Sequence, residues 1–230
     1  MIIFATKLKI MKELIEKLKV FKGAIGGTLE KQFEEIAKYL ICGGYFLCNN
    51  KYRLYISSVE FYYHEEIERD GRIVDPIMYH RNKWNNYINA WEEFEFFPIG
   101  TLYPHQSGVD ITFECPGKYR ASALIREFYI TKADNPNMYH NWKYYSSEAG
   151  WGEQRSIDKR PSYVYEWLFN GLGVSSSMFD WIEENNHMVK LSPLPDTRIN
   201  VYKYENVDTP EKYKITKEKC DRKWRYYILK

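Results

Sequence analysis

The chain has 230 residues, 44% hydrophobic and 28% charged, a balance that excludes a disordered or fibrous protein and fits one soluble domain with a sizeable core. Its 33 Lys and Arg against 31 Asp and Glu leave a formal charge of +2, which excludes a general pull on polyanions, so any nucleic-acid contact must come from a local basic strip. Aromatic residues make up 17%, with 21 tyrosines and 7 tryptophans, and some are expected to line a groove or pocket.

From Lys7 to Phe21 the residues Leu8, Met11, Leu14, Ile15 and Leu18 recur at three- and four-residue steps among lysines, the pattern of an amphipathic helix. AIGGT breaks it. Thr28 is placed to cap a second helix with the apolar face Leu29, Phe33, Ile36, Ala37 and Leu40, ended by Gly43 and Gly44. GYFLC, NNK and YRLYISSVEFYY then read as a β-hairpin, because Asn tolerates the positive φ of a tight turn. Residues Glu65 to Arg72 read as a loop. Trp84, Ile88 and Trp91 mark a third helix, bounded by Pro98 and Gly100.

VDITFE and ASALIREFYI flank a Pro116-Gly117 turn and form a second hairpin. Thr131 to Pro161, rich in Asn, Ser, Gly and charge, is the least regular stretch and is expected as a surface excursion. Helical signal returns at Tyr163–Phe169 and Ser176–Glu184, and RINVYKY and WRYYILK are expected as terminal strands around a lysine-rich stretch. Hairpins mixed with helices argue for a single α+β domain: a curved, mostly antiparallel, barrel-like sheet with helices packed around it.

Two charges stand in apolar strands. Alternation puts Leu54, Ile56, Ser58, Glu60 and Tyr62 on one side of their strand, and Leu124, Arg126, Phe128 and Ile130 on one side of theirs. Burying one unpaired charge is costly, so Glu60 and Arg126 are expected to meet across the sheet. Such a pair serves either as a structural ion pair or as a base that deprotonates water, its pKa raised by desolvation and lowered by the arginine. The other histidines carry less: His80 in DPIMYHRN stands alone, His64 beside two glutamates reads as solvated, and His105 in GTLYPHQSG either stacks on a planar ligand or sits in a turn. KYKITKEKCDRKWR is the most basic strip, a solvated edge or a phosphate contact.

No glycine-rich phosphate loop, nucleophile elbow or metal motif is present. Cys42, Cys48, Cys115 and Cys220 have neither zinc nor disulfide spacing, which fits a reducing cytoplasm. The first residues are too short an apolar run for a signal peptide, and no run approaches membrane-spanning length.

The order of these blocks resembles the methylpurine-DNA glycosylase (alkyladenine glycosylase) family. FEEIAKYLICGGYFL followed by ISSVEFYYHEE is similar to that family's helix, first strand and catalytic strand, whose V-E-[ST]-E-A-Y pattern sets its second Glu on Glu60 and its Tyr on Tyr62. DPIMYHRN resembles D-x-A-x-H and sets the family's active-site histidine on His80. GTLYPHQSGVDITFE resembles the G-x-L-Y-V-Y hairpin, and ASALIREFYI the strand ending L-L-R-A-x-E-P, with Arg126 on the water-positioning arginine. TRINVYKY and RKWRYYILK resemble the closing R-I-G-I and P-W-R-F-Y-I strands, and FNGLG the N-G-P-G turn.

The resemblance implies a glycosylase-like core over 28–230 behind an N-terminal helical extension at 1–27. It implies hydrolysis of the bond joining a modified purine to deoxyribose: Glu60 deprotonates water, Arg126 and His80 orient it, and Tyr62, Tyr103 and His105 hold the base. Gln106, Lys223 and Arg225 would contact DNA. The implied protein is a monomer that needs no metal or organic cofactor. The chain departs from the family where a wedge tyrosine is expected, having Gln106, Ser107 and Gly108, and it has Ser58 for the motif's first Glu. These departures point to single-stranded DNA, a nucleoside or an unusual base, and the alternative is a non-catalytic module that binds nucleic acid or protein.

Overall fold

The computed structural model describes residues 11–85, 88–141, 150–171, 178–184, 192–206 and 213–228. The start of the first expected helix before Met11, the end of the FNGLG turn at Leu172 and Gly173, and Ser176 lie outside the described residues.

Helix α1 (Lys12–Leu18) buries Leu14 and Leu18, and α2 (Leu29–Cys42) buries the expected face from Leu29 to Leu40. Thr28 occupies the N-cap position of α2, but its side chain makes no capping hydrogen bond. The Gln32 side chain ties the entry instead, accepting from Lys22 N–H at 2.7 Å and donating to the Gly23 carbonyl at 3.0 Å. Residues Leu14, Leu18 and Phe21, ahead of α2, belong to the same buried cluster as the sheet.

Strands β1 (Gly44–Cys48) and β2 (Tyr52–Glu65) form the expected hairpin, with Asn49 and Asn50 both at positive φ (50° and 56°) as a tight turn of matching twist requires. β5 (Leu102–His105), β6 (Gly108–Thr112) and β7 (Tyr119–Lys132) continue antiparallel, and the sheet runs β10-β1-β2-β7-β6-β5, with β10 at Phe179–Glu183. The short strands β8 (Tyr139–His140) and β9 (Trp151–Gly152) extend it beside β7, within the stretch expected to be irregular. β11 (Leu194–Asp196) pairs with β14 (Arg225–Tyr227), which pairs with β2 alongside Glu60. The whole is a curled antiparallel half-barrel in a single α+β domain. α2 packs across β1, β2 and β14, where Phe33 stacks on Phe61 at 4.4 Å and meets Trp224 at 5.4 Å.

Two expected helices are strands. Trp84 and Trp91 are cross-strand partners in a hairpin of β3 (Lys83–Asn85) and β4 (Ala90–Glu92), their rings edge to face at 5.7 Å. A seven-residue spacing that suggests a helical face here spans a turn, with Asn89 at φ 51°. The segment up to Glu184 is β10: Phe179 and Trp181 point into the core while Asp180 and Ile182 alternate outward. That period of two is too short to read against a helical background. Val164–Gly171 is helical with π-type winding. The terminal expected strand RINVYKY is strand only from Tyr202, in the hairpin of β12 (Tyr202–Asn206) and β13 (Tyr213–Lys219). Arg198 to Val201 is the turn before it.

The alternation expected along β2 and β7 does not run through. Pairing is regular from Tyr52↔Lys132 to Ile56↔Phe128, irregular around Ser58, and regular again from Val59↔Ile125. Core residues on β2 are Leu54 and Ile56 before this bulge but Val59, Phe61 and Tyr63 after it; on β7 they are Phe128 and Ile130, then Ile125, Ala123 and Ala121. One extra residue on each strand reverses which side chains face α2. Glu60 and Arg126 therefore do not interrupt an apolar row; the bulge turns them to the opposite face, where a cavity opens.

Gly108, at the start of β6, lets that cavity wall close. Its φ is +144°, and a Cβ there would lie 2.9 Å from Leu124 Cδ1 and 3.0 Å from the Pro161 carbonyl oxygen. Gly108→Ala is expected to cost about 1–3 kcal/mol through strain and overpacking, read as a lower Tm in a thermal melt.

Candidate functional site

The cavity holds about 310 Å³, near the lower end of the roughly 300–1,000 Å³ usual for small-molecule sites. Glu60, Tyr62, Leu124 and Arg126 come to it from β2 and β7, Asp110 and His105 from the β5–β6 hairpin, and Tyr79 from the loop after β2. The turn Ile199–Asn200, with Asn200 at φ 59°, forms another wall.

Glu60 is 1% exposed. Its Oε1 accepts the Ile199 backbone N–H at 2.8 Å and lies 3.3 Å from Arg126 Nε; its Oε2 accepts the Tyr62 hydroxyl at 3.2 Å. The expected approach of Glu60 and Arg126 is present, as a charge contact without a hydrogen bond. Burial raises the Glu60 pKa, outweighing the opposing Ile199 N–H, Arg126, Tyr62 and Arg198. Arg126 is 16% exposed on its side chain, and its Nε makes no hydrogen bond among the described residues.

Arg198, which the sequence reading did not single out, sits behind this carboxylate. It is ion-paired with Asp75, donates to the Phe61 carbonyl at 3.3 Å, and lies 4.9 Å from the Tyr62 ring and 5.1 Å from that of Trp224. One buried cation thus fixes both the Tyr62 ring and the chain that presents Ile199 N–H. The signal for it was a charge ahead of the alternating apolar positions Ile199 and Val201 in TRINV.

On the far wall the carboxylates and imidazoles form a row. His80, fully buried, is bonded through Nδ1 to Glu114 and faces Asp110 Oδ2 through Nε2 at 3.5 Å. His105 Nε2 faces Asp110 Oδ1, also at 3.5 Å. Burial lowers the His80 pKa, but Asp110 and Glu114 outweigh it and hold the group at about 9, a cation at neutral pH. Burial raises Asp110, and His105 and His80 reverse this, so its pKa lies well below the usual carboxylate range. Asp110 is therefore an anion and no proton donor. It stands in register with Glu60 through Leu124 (Asp110↔Leu124↔Glu60), two strand spacings or about 10 Å away along the same face.

The sequence-derived residues divide accordingly. Glu60, Arg126, Tyr62 and His105 line the cavity, whereas His80 and Tyr103 are set behind it: His80 against Asp110, and Tyr103 against His80, Phe97 and His105. His105 stacks on Tyr79 at 4.1 Å, and Tyr79, 43% exposed with its hydroxyl 2.6 Å from Ser107 Oγ, is the outer ring of the wall. His64, expected to be solvated, is buried, and burial with nearby arginines lowers its pKa to about 3. Gln106 and Lys223 are exposed, while the Arg225 guanidinium is held by Glu127 at 3.0 Å and Asp196 at 3.1 Å. Asp110 and Glu114 gave the same signal as Glu60, an acid in the apolar strand VDITFE, but Tyr79 had none beyond being aromatic.

Comparison of the chain with protein-family models, with curated proteins and with solved structures gave no match.

Proposed function

We propose that the chain hydrolyses the N-glycosidic bond of a modified purine, with Glu60 as the base that activates water. One observation carries the reading: a buried carboxylate with a raised pKa faces a cavity of about 310 Å³ beside an arginine whose Nε has no hydrogen-bond partner among the described residues. In the reaction Glu60 takes a proton from water, the resulting hydroxide oxygen bonds to C1′, and the C1′–N bond breaks with its electron pair going to the base. The negative carboxylate also stabilises the oxocarbenium-like sugar. Arg126 holds the water, and Tyr62 and Tyr79 confine a flat ring. His80 acts at a distance, through Asp110.

The substrate partner in this reading is DNA with a modified base, bound by a monomer in the cytoplasm. The exposed Lys214, Lys217, Lys219 and Lys223 on and after β13 offer phosphate contacts. Among the described residues no helix is long and apolar enough to cross a membrane. The small, exposed Ser107 beside Gln106 at the hairpin turn supplies no group to fill a vacated base stack. That observation favours single-stranded DNA or a nucleoside over duplex, and it is what favours the second reading, a non-catalytic binding module.

Incubation with single- and double-stranded oligonucleotides carrying 3-methyladenine, ethenoadenine or hypoxanthine, followed by alkaline scission, tests the reading. Strand breaks at the modified position support it; intact strands, with no base released from the free nucleosides either, reject it. If base release is found, Tyr62→Phe gives a directional check. The Tyr62 hydroxyl donates to Glu60 and so favours the charged form. Its loss should move the rising limb of kcat/KM to higher pH, with the plateau rate within about 100-fold of the parent, the worth of one hydrogen bond to a charged group.

A further inference from the structure

Asp110 has a setting that activation of water does not use. The residue is 3% exposed and lines the cavity. Its Oδ2 accepts from Ser122 Oγ at 3.2 Å and faces His80; its Oδ1 makes no close hydrogen bond among the described residues, His105 Nε2 lying 3.5 Å away at the limit of hydrogen-bonding distance. His105 Nδ1 already accepts the Ser107 N–H at 3.2 Å, so a neutral His105 ring keeps its proton on Nε2. Among the described residues Oδ1 is thus faced by one distant N–H, and an under-satisfied carboxylate on a cavity wall can accept a further donor.

We propose that Asp110 sets the specificity of the cavity by accepting a hydrogen bond from the exocyclic amino group of the bound heterocycle, which selects amino-bearing bases, and cationic ones most strongly, over bases without that group. The inference rests on the base-pocket reading above and names the class of base. An ionised carboxylate is an acceptor only, so it repels the lone pair of a bare ring edge and attracts an N–H. The attraction grows when the ring is positively charged, because the pair meets away from bulk water. His80, anchored by Glu114, is a positioning residue that keeps Asp110 charged and aimed. Leu124 between Asp110 and Glu60 gives the ring an apolar floor, with the sugar at Glu60 and the amino edge at Asp110.

The test is calorimetric binding of purine riboside, adenosine and 1-methyladenosine to the full chain carrying Glu60→Gln, which removes the base that would consume the ligand. Adenosine should bind about tenfold or more tighter than purine riboside, and 1-methyladenosine tighter still, as expected for a charge-assisted hydrogen bond. Adding Asp110→Asn should erase the preference for the cation. Should that double variant fail to fold, the three-ligand series in Glu60→Gln alone still decides. Equal affinities for all three, no binding of any, or an unchanged order after Asp110→Asn would overturn the proposal. The two readings fail separately: base release by the wild type without amino preference leaves hydrolysis standing and Asp110 without its role. Ordered binding with no base release by the wild type does the reverse.

Discussion

Glu60→Gln should lower base release by about 10²- to 10⁴-fold, the usual contribution of a positioned general base, while making the protein more stable at neutral pH. The amide is nearly isosteric. Its oxygen can still accept the Ile199 N–H, and Arg126 stays partly exposed to solvent. What disappears is the buried negative charge. Because burial raises the Glu60 pKa above its unfolded value, folded Glu60 binds a proton more tightly than unfolded Glu60 does. Stability therefore falls as pH rises from the unfolded pKa through the folded one, and above both the full destabilisation remains. Melts of parent and variant should coincide below about pH 4, near the ordinary Glu value, and separate at neutral pH with the variant higher. A carboxylate kept where it weakens the fold is the signature of a functional group. A variant that loses activity and stability together would mark Glu60 as a structural ion-pair member instead.

The contrast between Glu60 and Asp110 was half legible in the sequence. Both are acids in strands rich in apolar residues, and both are buried on the cavity face. The pairing of Glu60 with Arg126 followed from charge balance alone, but the reason they share a face did not. A bulge at Ser58 leaves no mark in composition, since it depends on where β2 passes from β1 to β14 as its neighbour. Likewise the α2 face and the Asn-Asn turn were local and readable, whereas β10 was set by β1 far along the chain, and the Trp84–Trp91 hairpin carries a seven-residue spacing that mimics a helical face. The roles of His80 and Tyr103 depended on depth behind the cavity, which a one-dimensional motif does not encode.

Arg120→Met is the substitution with the largest expected cost to the fold. Arg120 is 1% exposed, and all five of its N–H donors are used. Nε donates to Glu66 at 2.5 Å, Nη1 to the carbonyls of His80 and Glu95 at 2.9 and 3.1 Å, and Nη2 to the Phe94 carbonyl and Asn82 Oδ1 at 2.6 and 3.3 Å. The guanidinium also lies 4.0 Å from the Phe96 ring and 3.8 Å from Glu114 Oε2. One side chain on β7 thus ties down both ends of the loop that carries His80 and the β3–β4 hairpin. Methionine fills much of the volume but leaves Glu66 and the carbonyls of His80, Phe94 and Glu95 without this donor. The expected loss is about 3–5 kcal/mol, as for breaking a buried ion pair, or roughly 6–20 °C in Tm for a chain of this size. Lysine should rescue little, because a single ammonium cannot serve five acceptors spread around a planar fork. The site should feel the change through His80: when its carbonyl anchor is lost, Asp110 loses its aligned cation, and discrimination between amino-bearing and bare ligands should weaken before the fold melts. A variant that keeps ligand discrimination up to its own lowered Tm would show that Arg120 serves the fold alone.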